Sequence, residues 1–298
     1  MDSPDMKHFW MVALATFTLH AQAAITVVDD DGNAVTLQKP AQRIVSMSPH
    51  VTELLFAAGG GAKIVGAVSY SDYPEAAKRI PQIGSNRQID MERVIAMKPD
   101  LIVVWMHGSS ERQVEELRAL GIPMFHSEPK KLDDIAASLQ KLGKLMGTEA
   151  VAEPAAASLR KELATLTARY AHRPPVRMFY QVWDKPLYTL NGAHIVSDAI
   201  RVCNGVNIFA PLKVTAPIVS VEAVLQEDPE AIFSTGEGSQ NDGGVNLWKP
   251  FTNMTAVKRA NLFRLDGNLL NRAGPRMVAG TAALCEKLEL ARQHRPAK

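Results

Sequence analysis

The sequence carries no constellation that would do chemistry on a bound molecule. A GxSxG elbow, a P-loop, a GxGxxG turn, a CxxC pair and an HExxH helix are all missing. No residue is therefore nominated as a nucleophile or as its base, and an enzyme is the disfavoured class. The one glycine run, Gly59-Gly60-Gly61, follows a helical pattern instead of opening one, so it reads as a C-terminal cap and loop. An excess of charge of one sign is lacking too. The 33 Lys and Arg against 31 Asp and Glu leave a formal charge of +2, with no basic run and no acidic tail. That excludes the electrostatic footprint of a nucleic-acid binder.

Long hydrophobic runs are absent as well. The apolar run 9–19 falls far short of the roughly 20 residues that cross a bilayer. It follows Lys7 and His8 and precedes Ala21-Gln22-Ala23, the small-x-small pattern of a signal peptidase site. Residues 1–23 are therefore expected to be a signal peptide that sends the chain to the periplasm. No cysteine follows the run, which argues against a lipid anchor. Cysteine is scarce throughout: Cys203 and Cys285 are the whole complement. In an oxidising compartment an isolated pair reads as a disulfide ahead of a catalytic thiol or a metal site. Closing that loop would be worth about 4.5 kcal/mol in the chain-entropy model.

What is present is alternation. A composition of 46% hydrophobic and 21% charged residues over 298 positions suits a soluble protein of two lobes. ITVVDDDGNAVTL reads as a hairpin around an Asp-Asp-Gly turn. From Arg43 onward the strands IVSMS, KIVGAVS, DLIVVW and IPMFHS alternate with helices, the pattern of an α/β lobe with a parallel sheet. Apolar residues at spacings of three or four from Ala152 to Tyr170 predict one long amphipathic helix, with Pro154 tolerable only near its start. A second α/β pattern follows: the strand VRMFYQVW, the helices HIVSDAIRVCNG and SVEAVLQED, the strands AIFS and NLFRLD, and a final helix. The expected division is a lobe over 24–147, a linking helix over 148–173 and a second lobe over 174–298. One element recurs, since DMERVIAMKPDLIVV is echoed by SVEAVLQEDPEAIFS. In each copy a capping residue, Asp90 or Ser220, stands two positions before a glutamate, Glu92 or Glu222. N-capping and the helix macrodipole already explain that pattern.

Histidines are scattered, and His50, His107, His126 and His194 each read first as ordinary polar loop residues. Three of them sit at strand ends, in SMSPH, VVWMH and PMFH, where ligands bind in open α/β sheets. Tyr70, Trp105, Trp183 and Tyr188 sit on the same rims. Together they predict a cleft for a large flat ligand, with His107, two residues past Trp105, placed to approach a bound metal.

The stretches SPHVTELLFAAG, SYSDYP, MERVIAMKPDLIVVW, ERQVEELRALGI, VCNGVNIF and NRAGPR resemble the class III substrate-binding proteins. These are the receptor components of ABC importers for cobalamin, haem and iron-siderophores, and the resemblance is greatest to the cobalamin receptors. It runs from about Arg43 to about Arg292. It implies two α/β lobes joined by one long helix, the helical-backbone metal receptor type, with ligand in the cleft between them. Cys203 and Cys285 fall on the family's disulfide positions. Tyr70, Trp105, Tyr188 and Arg272 match positions that contact the corrin. Two tryptophans of the family's cleft are replaced, by Asn86 and Ala216, while Trp183 adds an aromatic near Tyr188. The resemblance further implies a monomer with no cofactor of its own, a cobalamin-type ligand or alternatively haem or a siderophore, and a dimeric permease as partner. Members carry a matching glutamate on each lobe that pairs with permease arginines, so Glu92 and Glu222 are the expected docking contacts.

Overall fold

The computed structural model describes residues 24–85, 88–105, 111–235 and 243–296. The expected signal peptide and the candidate site residues Asn86 and His107 lie outside them.

The Asp-rich turn does close a hairpin. Strands β1 (Ile25–Val28) and β2 (Ala34–Leu37) pair antiparallel, and Asp29 Oδ1 accepts from the backbone N–H groups of Asp31 and Asn33 at 3.0 and 2.8 Å. Alternation then begins with β3 (Ile44–Ser46), α1 (Pro49–Ala57), β4 (Ile64–Ala67) and α2 (Met91–Ala96). It continues through β5 (Leu101–Val104), α3 (Glu111–Arg118), β6 (Met124–His126) and α4 (Leu132–Met146). The four strands from β3 to β6 form one parallel sheet in the order β4-β3-β5-β6. Both its faces are covered, as a parallel sheet requires. Ile44, Leu101 and Val103 pack into one apolar cluster while Val45, Ile102 and Val104 pack into another on the opposite face.

The linking helix is α5 (Glu149–Tyr170), whose 22 residues span about 33 Å. It starts one residue later and ends three earlier than the sequence suggests. Gly147, at φ +66°, turns the chain from α4 into it. A side chain at Gly143 would meet Ala152 Cβ at 2.3 Å, so α4 and α5 pack backbone against backbone at that crossing. Pro154 lies in the second turn of α5, where its missing N–H removes one helical bond near the helix start.

Beyond α5 come β7 (Val176–Gln181), the short antiparallel hairpin β8 (Trp183–Asp184) and β9 (Leu187–Tyr188), α6 (Ile195–Val202) and β10 (Gly205–Asn207). They are followed by α7 (Val221–Glu227), β11 (Ala231–Ser234), α8 (Thr255–Lys258), β12 (Leu262–Arg264), α9 (Gly267–Leu270) and α10 (Met277–Gln293). The expected strand through Trp183 stops at Gln181 because the chain folds back on itself around Lys185 and Pro186. The second parallel sheet is ordered β10-β7-β11-β12. Counted by appearance, each sheet thus has the order second, first, third, fourth. The repeated stretch is α2–β5 in one lobe and α7–β11 in the other, the helix and third strand of each sheet.

The protein is therefore two α/β lobes joined by one long helix. A single apolar cluster runs from Val27 of the hairpin through Leu139 and Leu159 to Leu288 of α10, across both lobes and α5. Cys203 and Cys285 are disulfide-bonded, 82 residues apart, and tie the end of α6 to α10. Beside them the buried Arg292 guanidinium donates to the carbonyls of Pro174 and Cys203 at 2.7 and 2.6 Å.

Candidate functional site

The carboxyl ends of the strands place the site, because backbone and side chains that leave a parallel sheet there have no further strand to pair with. A cavity of about 470 Å³ opens between the lobes. From the first lobe it takes Ser48 and His50 after β3, Tyr70 after β4, Trp105 after β5, and Glu128 and Lys130 after β6. From the second it takes His194 at the head of α6, Thr215, and the segment from Leu270 to Ala273.

Tyr70, Trp105 and Arg272 are thus brought onto one cavity. Tyr70 sits at φ +66°, in the left-handed region that a bulky residue rarely adopts, and its side chain is 78% exposed. Trp105 is half-buried and forms a T-shaped pair with the His50 ring, centroids 5.5 Å apart at 88°. Trp183 and Tyr188 are not among the residues lining the cavity. They face each other across the β8–β9 hairpin, and Tyr188 bridges to Ile218, three residues from the cavity-lining Thr215. Ala216 is exposed on that same segment. Glu92 and Glu222 stand elsewhere, exposed in the first turns of α2 and α7. Both caps are made: Asp90 Oδ1 accepts from Arg93 N–H at 2.9 Å and Ser220 Oγ from Ala223 N–H at 3.1 Å. The backbone N–H of Glu222 and then the Ser220 hydroxyl hold the Glu222 carboxyl below the usual carboxylate range.

Behind the cavity wall Arg272 joins three residues that sequence reasoning missed, Glu53, Asp72 and Arg276. Glu53, on α1, is only 3% exposed, yet it is a carboxylate. Across the lobe boundary it accepts from Arg276 Nε and Nη2 at 2.9 and 2.6 Å and from Arg272 Nη1 at 3.3 Å. Arg272 Nη1 also donates to Asp72 Oδ1 at 2.7 Å, and the Arg276 guanidinium lies 3.9 Å over the Tyr73 ring. Burial works against the charged form of Asp72, but the hydrogen bond and charge of Arg272 hold its carboxyl below the ordinary range. One signal was available: Glu53 is the only charged residue in the helix PHVTELLFA. A lone carboxylate in an apolar helix needs a buried partner.

The remaining polar groups of the wall are fixed from behind. Ser48 Oγ and His50 Nδ1 are 2.8 Å apart, and burial lowers the His50 pKa to about 4, with the charge of Glu128 acting in the opposite sense. His50 is therefore a neutral imidazole. Asn271 at the cavity edge accepts from Tyr180 Oη at 2.9 Å and donates to Thr235 Oγ1 at 3.0 Å. Among the described residues no three His, Cys, Asp or Glu side chains gather in a metal-holding group, and no helix is long and apolar enough to cross a membrane. The arrangement can grip a ligand by aromatic faces and oriented amide, imidazole and guanidinium groups.

Known proteins share both the sequence and this geometry. A vitamin B12-binding protein of Yersinia pestis (strain Pestoides F) is 37% identical over 279 residues, 93% of this chain and 96% of that protein. The crystal structure of the periplasmic vitamin B12 binding protein BtuF of Vibrio cholerae matches with a TM-score of 0.80 at 36% identity, covering 85% of this chain and 99% of that one. The periplasmic heme-binding protein RhuT of Roseiflexus sp. RS-1 shares the fold, with a TM-score of 0.73 at 24% identity over 84% of this chain and 99% of that one. The family model described as periplasmic binding protein matches residues 44–269. Such proteins bind ligands and are not enzymes. A two-lobed α/β chain with its cavity at the carboxyl ends of both sheets, matched over most of its length, belongs to the periplasmic binding protein family.

Proposed function

We propose that the protein is the receptor of an ABC importer and captures a cobalamin-type corrinoid between its lobes. The observation that carries this reading is the meeting of Tyr70, Trp105 and Arg272 on one interlobe cavity, in a chain 37% identical over 93% of its length to a vitamin B12-binding protein. Trp105 and Tyr188 stack on the ligand and Arg272 donates hydrogen bonds to it. The cavity, about 470 Å³, holds only part of a corrinoid with its nucleotide tail. The rest lies on the open rim formed by Trp183, Tyr188 and the segment around Ala216. Asn86 and His107 complete the ligand-binding set, and the ligand brings its own metal. Residues 1–23 direct export to the periplasm, where the receptor works as a monomer. Glu92 and Glu222 dock it to a dimeric permease, one glutamate for each half of a two-fold partner.

Titration with cyanocobalamin and with haemin, followed by tryptophan fluorescence and ligand absorption, tests the ligand. Cyanocobalamin should bind one to one, at least about tenfold more tightly than haemin, a difference of about 1.4 kcal/mol. Tight haemin binding without a cyanocobalamin response would overturn the reading in favour of a haem receptor of the same fold.

A further inference from the structure

We propose that Asp72 makes the cleft select ligands that present neutral carboxamides over ligands that present carboxylates. This rests on the reading that the ligand is a corrinoid, whose rim carries carboxamides where a haem carries two propionates.

The charge around Arg272 carries the inference. Arg272 is the cationic side chain that the second lobe contributes to the cavity. An unpaired guanidinium there would attract any carboxylate, because its planar fork matches that geometry. Arg272 is not unpaired, since its Nη1 donates to both Asp72 and Glu53. Arg276 also donates to Glu53, so two guanidinium groups face two carboxylates. The other charged residues lining the cavity, Glu128 and Lys130, are one of each sign. His50 adds no charge. Among the described residues, the Asp, Glu, Lys and Arg side chains of the wall and of the cluster behind it thus sum to zero.

A carboxylate entering beside Arg272 would meet Asp72 and Glu53 at short range, and like charges so placed repel. A carboxamide brings no charge, and its oxygen can accept from the guanidinium N–H groups that the two acids leave over. The two acids are not equivalent. The Glu53 side chain is 2% exposed and held by both arginines, so it is a positioning residue that fixes the guanidinium groups across the lobe boundary. The Asp72 side chain is 49% exposed on the loop after β4 and touches Arg272 through one oxygen. It is the acid whose removal changes the charge of the cleft while the buried bridge stays in place.

The test compares wild type with Asp72→Asn, which keeps the shape, and with Asp72→Ala, which removes the acceptor. Each is titrated with cyanocobalamin, haemin and haemin dimethyl ester, whose propionates are uncharged. Removing the charge should raise the ratio of haemin to cyanocobalamin affinity at least about tenfold, with the gain fading at high salt, because the freed guanidinium can then pair with a propionate. The ester should not share that gain. If the ratio stays put in both variants, or if haemin and its ester shift alike, Asp72 only bridges the lobes and the proposal fails. A wild type that ignores cyanocobalamin would strike down the corrinoid reading, while a charge-dependent gain for haemin over its ester would still support the role of Asp72.

Discussion

At the scale of single residues, His50 couples the cleft to pH. Its folded pKa of about 4 lies below the ordinary 6.5, so between those values the unfolded chain binds the proton that the native chain refuses. Stability contributed by His50 is therefore full above about 6.5, falls as pH drops, and stops falling below about 4. The difference amounts to roughly 3 kcal/mol at most. His126 acts in the opposite sense. Although burial disfavours its charge, hydrogen bonding to Glu128 and the charge of Asp31 raise its pKa, so its stabilisation is present below 6.5 and is lost as pH rises through the folded value. Urea unfolding at pH 7 and pH 4.5 separates the two: in His50→Gln the acid-induced loss of stability should shrink relative to wild type. An equal loss would mean that His50 is protonated in the native state. Tyr70 and Trp105 were legible on the cavity because they stand at strand ends, and Arg272 through the stretch NRAGPR that carries the family resemblance. The pairing of Glu53 and Asp72 was not, because their partner Arg272 lies 219 and 200 residues away and no local pattern encodes a bond of that reach.

At the scale of elements, the helices and strands with a full period of apolar residues were readable, including α4, α5, the first parallel sheet and strands β7, β11 and β12 of the second. The pieces that were not, β8, β9, β10, α8 and α9, are two to four residues long. Strands β3, β6 and β12 are as short, but strand-like runs extend beyond them, whereas the surrounding fold decides the conformation of the missed pieces. The pair α2 and α7 shows what a short element can offer. Each is capped by Asp90 or Ser220, and the glutamate two positions on is exposed in the first turn, with Glu222 meeting only its own backbone N–H and the hydroxyl of its cap. Replacing Glu92 and Glu222 together with Ala should leave ligand affinity and the melting temperature nearly intact while abolishing stable complex formation with the permease and uptake in reconstituted vesicles. Normal docking by the double variant would reduce the repeated motif to helix capping.

At the scale of the whole molecule, the lobes are held on several sides. They share one apolar cluster through α5, the Glu53 cluster spans the boundary, and Asp198 of α6 accepts from Leu132 N–H at the head of α4 at 2.9 Å. Packed interiors do not deform gradually, and a continuous helix cannot absorb the dihedral changes that loop hinges take up. Ligand should therefore change the radius of gyration by less than about 1 Å in small-angle scattering. A larger compaction would show that the boundary opens in solution. The order of the strands has a consequence for how the chain comes to be. All four strands of the first sheet precede α5 and all four of the second follow it, so the polypeptide passes between the lobes once. Both neighbours of β3, β4 and β5, lie in the same lobe and close to it in sequence, so the first sheet can form without any strand that follows α5. The cysteine pair lies wholly in the later half, so oxidation cannot lock the earlier half into a wrong connection.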